Sequence, residues 1–490
     1  MFDSCSGAWA AACDPADRGC AVGGPDTLQR MGTIRPAGIR PERAGLAGDG
    51  SRDDGVWLTP CATHPARGTA RIPGSKSMTN RALILAALSG GATTIWGPLV
   101  ARDTQLMAAA LRALGSHIAE EDGLWRVEPG AAGERRAGAG PGAAGSPVVD
   151  IDVGNAGTVL RFIPPAAALS TTQARFHGDA RVSLRPVGPL LQALRDLGAT
   201  VDDGGTGQVP FIVRGRGGIA GGSVTLDASG SSQLISGLLL AAPRFDRGAQ
   251  IRHSGPPVPS APHIEMTVRM LRDRGVDVTA DPELWQVAPG PITPGQIGIE
   301  PDLSSALPFL AAAMATGGEL TIAGWPPSSL QPVRQVLELL TGMGASIRHT
   351  PVGLQVSGPG RIRGIVADLS EVGELTPVLT ALAALASSPS EFRGIGHLRG
   401  HETDRLAALA GEIGKLGGDV TELPDGLRIR PRPLRADGRV FDSHDDHRLV
   451  MAAAVLGLMT PGLRVGNAAT VGKTFPGFSQ SWSRALAPAG

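Results

Sequence analysis

The sequence has no tyrosine, and aromatic residues supply only 3% of its 490 positions. Alanine, valine and leucine must then fill the core, which favours closely packed helices. Cysteine is scarce too. Cys5, Cys13, Cys20 and Cys61 are the only four, so the chain after Cys61 has no thiol. That excludes a disulfide framework and a cysteine nucleophile from the body of the protein. Cys5, Cys13, Cys20 and His64 lack the short Cys-x-x-Cys pairs of zinc sites, and no metal is expected. Excess charge is missing as well: 45 Lys and Arg balance 45 Asp and Glu. No global field therefore recruits nucleic acid or an anionic membrane, and any anion site must be a local cluster of cations. No apolar run is long enough to span a bilayer. The N-terminus shows no hydrophobic segment followed by a cleavage site, so the cytoplasm is the expected compartment.

What is present is repetition. Residues 1 to 56 are rich in Gly, Ala, Pro, Arg and Asp without apolar periodicity, which reads as a disordered extension. After it, one segment type recurs six times: a small polar cluster, an Ala/Leu-rich helix, Gly or Pro, then a short strand. The helices open near Lys76-Ser77, Asn155-Ala156-Gly157, Ser231-Ser232-Gln233, Asp302-Leu303-Ser304, Glu374-Leu375-Thr376 and Asp446-His447-Arg448. A second helix follows in five copies and ends at a glycine, as in LRALG, LRDLG, LRDRG, LTGMG and IGKLG. Glycine there suits a left-handed cap. Each unit reads as β-α-β-α-β-β, and the class is α/β. The last copy is cut short, while the strand-like stretch before Pro73 has no unit of its own, so the N-terminal strand is expected to complete the last units. Two similar domains of three units follow, 74–300 and 57–73 plus 301–490, with the chain crossing between them twice.

The first helix of each unit is apolar nearly all round and should be buried. Its N-terminus carries the polar residues, where backbone N–H groups and the helix dipole favour anions. If several such ends face a cleft between the domains, the cleft is an anion trap. Lys76 and Arg81 lie about one turn apart at the first entry, though a solvated basic pair beside a Ser77 cap reads equally well. GNAGT followed by Arg161 lets backbone approach a ligand closely, or forms a plain turn. RVSLRP adds Arg181 and Arg185, and Ser231-Ser232-Gln233 suits a phosphate or a cap. The C-terminal half supplies Glu374, the run LRGHETDRL, Asp446-His447-Arg448 and Lys473. Glu402 and Arg405 are three apart and share a helix face. His401, His444 and His447 show no paired spacing with carboxylates that would suggest a metal.

Together PGSKSMTNRALILAAL, GNAGTVLRF, RVSLRP, SSQLISGLLL, HETDRLAAL, DDHRLVMAAA and GKTFPGF resemble, in the same order, the motifs of the EPSP synthase family, from about Pro73 to Phe478. The resemblance implies two domains of three βαβαββ units around buried parallel helices, an inside-out α/β barrel. It implies transfer of the enolpyruvyl group of phosphoenolpyruvate to the 5-hydroxyl of shikimate 3-phosphate, with no metal or organic cofactor, in a monomer. Carried over residue by residue, Lys76 contacts both substrates, and Ser77 and Arg81 hold the shikimate part. Ser231, Ser232 and Ser260 bind its phosphate, and Gln233 lies between the ligands. Gly157, Arg185, Arg405, Arg448 and Lys473 form the phosphoenolpyruvate pocket. Glu374 is the expected base, with Lys76 and Glu402 handling protons on the donor.

Two departures stand out. Glu374 occupies a place where the family often has Asp, and His401 one where many members have Lys; His401 and His397 are assigned to shikimate phosphate or hydroxyl. UDP-N-acetylglucosamine enolpyruvyl transferases share the repeat plan. They carry Lys-Asn where this chain has Lys76-Ser77, and usually a loop cysteine that this chain lacks. An inactive anion-binding homologue is a third reading, opposed by the retained Lys76, Glu374, Glu402 and pocket arginines.

Overall fold

The local signals resolve into twelve α-helices among the residues that this computed structural model describes, 55–130 and 148–487. Cys5, Cys13, Cys20 and nearly all of the expected N-terminal extension lie outside those residues. The helices are α1 (Lys76–Ala87), α2 (Arg102–Ala113), α3 (Gly157–Leu169), α4 (Gly188–Asp196), α5 (Gln233–Ala241), α6 (Pro262–Arg272), α7 (Leu303–Thr316), α8 (Val333–Gly342), α9 (Thr376–Ala384), α10 (Arg405–Lys415), α11 (His447–Gly457) and α12 (Phe478–Leu486). All six expected first helices form where the polar clusters end. The five glycines that close α2, α4, α6, α8 and α10 have φ between 76° and 110°. They end the helices in a conformation that a Cβ disfavours.

Every residue of α3, α9 and α11 is buried. The sequence explains why: these helices have no polar stripe to offer water. α3 and α5 touch backbone to backbone, because a Cβ on Gly237 would lie 2.2 Å from the Arg161 carbonyl. Phe309, Phe475, Phe478 and Trp482 stack and edge against one another with ring centroids 5.3–6.0 Å apart.

Among the described residues the strands form five four-stranded sheets and one three-stranded sheet. One sheet shows the plan: Val148–Asp152 runs parallel to Gln173–His177 across α3, and Phe211–Arg214 and Thr200–Asp202 add antiparallel strands. The first and fourth sheets exchange a strand. Gly295–Gly298 pairs with Thr93–Trp96, and Arg67–Ala70 pairs with Glu319–Ala323. The two connecting segments bond to each other, Ser75 N donating to Glu300 O at 2.8 Å and Asp302 N to Pro73 O at 2.9 Å. Val56–Leu58 completes the sixth sheet against Arg464–Gly466. The buried apolar side chains form two clusters, one spanning Met78 to Ile297, the other joining Ala66 and Ala70 to residues from Leu303 to Ala485.

Candidate active site

The N-terminal ends of α1, α3, α5, α9, α10 and α11 bring their polar residues together. Glu402, just before α10, is the focal carboxylate. Arg405 Nη2 lies 2.9 Å from it, Lys473 Nζ 3.5 Å and Arg185 Nη1 3.9 Å. Burial favours protonation of Glu402, but Arg405, Lys473 and Arg185 outweigh it and hold the group well below the usual carboxylate range. Arg405 is oriented by Asp446, the N-cap of α11, through Nε at 2.7 Å and Nη2 at 3.3 Å. Burial would lower its affinity for a proton; Asp446 and Glu402 raise it. Lys473 also reaches the Asn155 carbonyl at 3.4 Å, and Arg185 Nη1 bonds the same oxygen at 2.7 Å.

Glu374 stands in a short turn before α9 and accepts a hydrogen bond from Arg448 of α11. Burial would raise its pKa; Arg448, His263, Lys76 and Arg405 instead hold it far below the usual range. Lys76 opens α1 and pairs with Asp103 of α2 at 3.2 Å. Burial alone would lower the Lys76 pKa, but Asp103, Glu402 and Glu374 keep it above the ordinary lysine value. The ammonium therefore stays charged among three carboxylates.

Two cavities adjoin at Ser260, His263 and Glu374. Lys76, Ser77 and Arg448 line one; Arg185, Ser231, Ser232, Gln233, His397 and His401 line the other. Their volumes are about 30 and 40 Å³. That is room for a water or so, whereas small-ligand pockets run to roughly 300–1,000 Å³. Arg161 also faces the second cavity, donating from Nη1 to Gln233 Oε1 at 2.9 Å and from Nε to the Pro186 carbonyl at 2.9 Å. Gly157 sits against both arginines: a Cβ there would lie 2.8 Å from Arg161 Nη1 and 2.8 Å from Arg185 Nη2.

Arg81 differs from the other expected ligands. It is buried under the cavities, and its three nitrogens bond Thr267 Oγ1, the Ser77 carbonyl, Ser236 Oγ and the His263 carbonyl. Burial pulls Arg81 and Arg161 down to about 9, which leaves both guanidiniums charged at neutral pH. His401 accepts through Nδ1 from Arg405 Nη1 at 3.1 Å, and its ring packs edge-on to His397 at 5.5 Å. Burial first, then neighbouring cations, lower the pKa of His401; burial also lowers that of His397.

Four participants escaped the sequence reading: Asp103, His263, Asp446 as an arginine holder, and His447. The pair Asp446-His447 sat inside a quoted motif, but its partners are remote in sequence. His263 lies in the first turn of α6, three residues after Ser260, and only the helix start reveals that it faces the cavity. His447 is buried beside Glu402 and Lys76, and burial with Arg448 and Lys76 lowers its pKa well below the usual value. Among the described residues, no group of three His, Cys, Asp or Glu is placed to hold a metal ion, and no helix is long and apolar enough to cross a membrane.

A family model described as EPSP synthase (3-phosphoshikimate 1-carboxyvinyltransferase) matches residues 61–482. Two solved EPSP synthase structures from Acinetobacter baumannii are similar, one at 26% identity with a TM-score of 0.72 and the other at 25% and 0.71; each comparison covers 88% of this chain and 98% of the other. The enolpyruvyl transferase NikO from Streptomyces tendae shares the fold at 18% identity and a TM-score of 0.66, over 88% of this chain and 97% of its own.

Proposed function

The chain belongs to the EPSP synthase family of enolpyruvyl transferases, and from that premise we propose that it moves the enolpyruvyl group of phosphoenolpyruvate onto the 5-hydroxyl of shikimate 3-phosphate. Phosphate is released, and the product feeds the shikimate route to chorismate and aromatic amino acids. The observation that carries this reading is the convergence of Arg405, Lys473 and Arg185 on Glu402, beside a serine-lined cavity closed by Glu374. Cations already gathered around one carboxylate suit a donor bearing both a carboxylate and a phosphate.

On this reading Lys76, Gly157, Arg185, Gln233, Arg405, Arg448 and Lys473 hold the donor. Lys76, Ser77, Ser231, Ser232, Gln233, Ser260, His397 and His401 hold the acceptor, with Arg81 bracing the floor from below. Glu374 takes the proton of the attacking hydroxyl as the new C–O bond forms, and the donor methylene carbon gains a proton from the Lys76 and Glu402 side. The adduct then loses a methyl proton to that side as the C–O bond to phosphate breaks. The cations around Glu402 stabilise the charge on the departing phosphate.

Glu374 paired with Arg448 is a poor base, since an effective one titrates near the working pH. A donor anion that takes Arg448 removes the main cause of that depression. Donor binding would thus switch the base on. We also assign the two apolar clusters to two domains, 57–73 plus 301–490 and 74–300, in a cytoplasmic monomer. The deciding experiment is a coupled phosphate-release assay. Release that requires both phosphoenolpyruvate and shikimate 3-phosphate supports the proposal. No release with that pair, or release with UDP-N-acetylglucosamine as acceptor, overturns it.

A further inference from the structure

Glu412 lies outside both cavities, yet it is a buried carboxylate on the catalytic-side helix α10. It is seven residues beyond Arg405, two helical turns, so the two side chains share one face about 10 Å apart. Both reach the loop that leads into α11. Arg405 grips Asp446 at one end of it. At the other end Glu412 Oε2 accepts from the Asp442 backbone N–H at 3.0 Å, and Glu412 Oε1 meets His444 Nε2 at 2.9 Å. Lys415 Nζ is a second neighbour of Oε1, at 2.7 Å, from the solvent side of α10.

The loop between these anchors is strained. His444 and Asp445 are consecutive non-glycine residues with φ of 48° and 55°. That region is disfavoured for side chains and persists only where surrounding contacts impose it. Asp445 is fastened from the far side, by Asn467 and by Thr470 Oγ1 at 3.1 Å from its carbonyl. On the side facing α10 the loop is held by Glu412 at Asp442 and His444 and by Arg405 at Asp446. Asp446, His447 and Arg448 follow immediately, so the strained pair sets where the N-terminus of α11 points.

We infer that Glu412 is a positioning residue: by strapping Asp442 and His444 to α10, it keeps Asp446 on Arg405 and Arg448 in the cleft. Without Glu412 the loop keeps its ties to Asn467 and Thr470 but meets α10 only at the Arg405–Asp446 pair; with Glu412 it meets α10 at both ends. The inference rests on the donor site proposed above, because Arg405 and Arg448 are assigned there to phosphoenolpyruvate.

The test uses the full chain with four variants: Glu412→Ala, Glu412→Gln, His444→Asn and, as control, Lys415→Gln. Steady-state kinetics are read beside backbone hydrogen exchange over residues 442–448. Misplacing donor ligands by an ångström costs up to about 100-fold. Glu412→Ala is therefore expected to lose about 10- to 100-fold in kcat/KM for phosphoenolpyruvate. KM for shikimate 3-phosphate should move far less, and the Asp442 and Arg448 amides should exchange faster. Glu412→Gln should recover most of the loss, since an amide accepts from Asp442 and donates to His444. Lys415→Gln should match wild type. Folded Glu412→Ala with kinetics and exchange within twofold of wild type overturns the inference. If Glu412→Ala does not fold, His444→Asn decides. Asn tolerates the left-handed backbone but is too short to reach Glu412, so unchanged kinetics and exchange there overturn it equally. Should wild type fail to turn over the two substrates, the functional proposal falls, while the exchange data still settle whether Glu412 holds the loop.

Discussion

Arg405 Nη1 points at Nδ1 of His401 from 3.1 Å. A guanidinium only donates, so that nitrogen must be the unprotonated one of a neutral imidazole. A lysine in place of His401 would bring a second cation against Arg405. His401 offers an acceptor there instead, and any hydrogen bond it donates to substrate comes from Nε2.

The first prediction concerns acid stability. His401, His447, His263 and His397 are all held below the ordinary histidine value, each with burial as the leading cause. An unfolded chain takes up protons on them near pH 6.5, while the folded protein does so only at lower pH. The unfolded state therefore binds more protons in that window, and stability falls as pH drops below about 6.5. Glu374 and Glu402, also depressed, add to the loss below about pH 4.5. Calorimetry from pH 8 to 5 should show a Tm that is level above neutrality and then declines. His401→Gln should make the decline shallower. A Tm independent of pH over this range would refute the assignment of neutral buried histidines.

Glu374→Gln separates chemistry from positioning. Glutamine keeps the shape and the hydrogen-bonding capacity but cannot take a proton. General-base help is worth roughly 10²- to 10⁴-fold, so kcat should fall by that order while shikimate 3-phosphate affinity, measured by calorimetric titration, stays within a few-fold. Weakened binding with near-normal kcat would reduce Glu374 to an orienting contact.

Gly157→Ala tests the donor pocket. The added methyl meets the ends of Arg161 and Arg185 at 2.8 Å, closer than van der Waals contact permits, so both guanidiniums must give way. KM for phosphoenolpyruvate should rise, and glyphosate, expected to compete in the same pocket, should lose potency by a larger factor. Inhibition curves identical to wild type would remove Gly157 from the pocket.

The small cavities predict motion. Neither about 30 nor about 40 Å³ admits a phosphorylated ring, so the cleft is expected to widen to load substrate. Small-angle scattering should report a larger radius of gyration without ligand than with saturating shikimate 3-phosphate, because closure restores the contacts between Lys473 and Asn155. Equal profiles would argue against opening.

Truncation should divide sharply near residue 55. Starting the chain at Gly55 is expected to preserve activity. Starting it at Cys61 removes Val56–Leu58 from the sixth sheet and the Thr59 Oγ1 bond to the Leu463 carbonyl, 3.0 Å long. That variant should melt at a lower temperature, and equal Tm values would show the strand to be dispensable.

The sequence alone was enough to locate six buried helices, because helix starts, apolar periodicity and closing glycines are local signals that act over a few residues. Its ordered motifs also marked most of the side chains that line the cleft, since Lys76, Ser231-Ser232-Gln233 and Arg405 each sit at a legible helix entry. Tertiary structure decided the rest, by bringing together groups far apart in the chain. Which strand completes which sheet depends on the exchange of Arg67–Ala70 and Gly295–Gly298, and no local pattern encodes a partner more than two hundred residues away. The fate of Arg81 depended on Thr267 and Ser236, which only folding places beside it and which commit its donors within the protein. The charge state of Glu374 is likewise a sum over Arg448, His263, Lys76 and Arg405, four groups on four helices whose separations exist only once the helices pack.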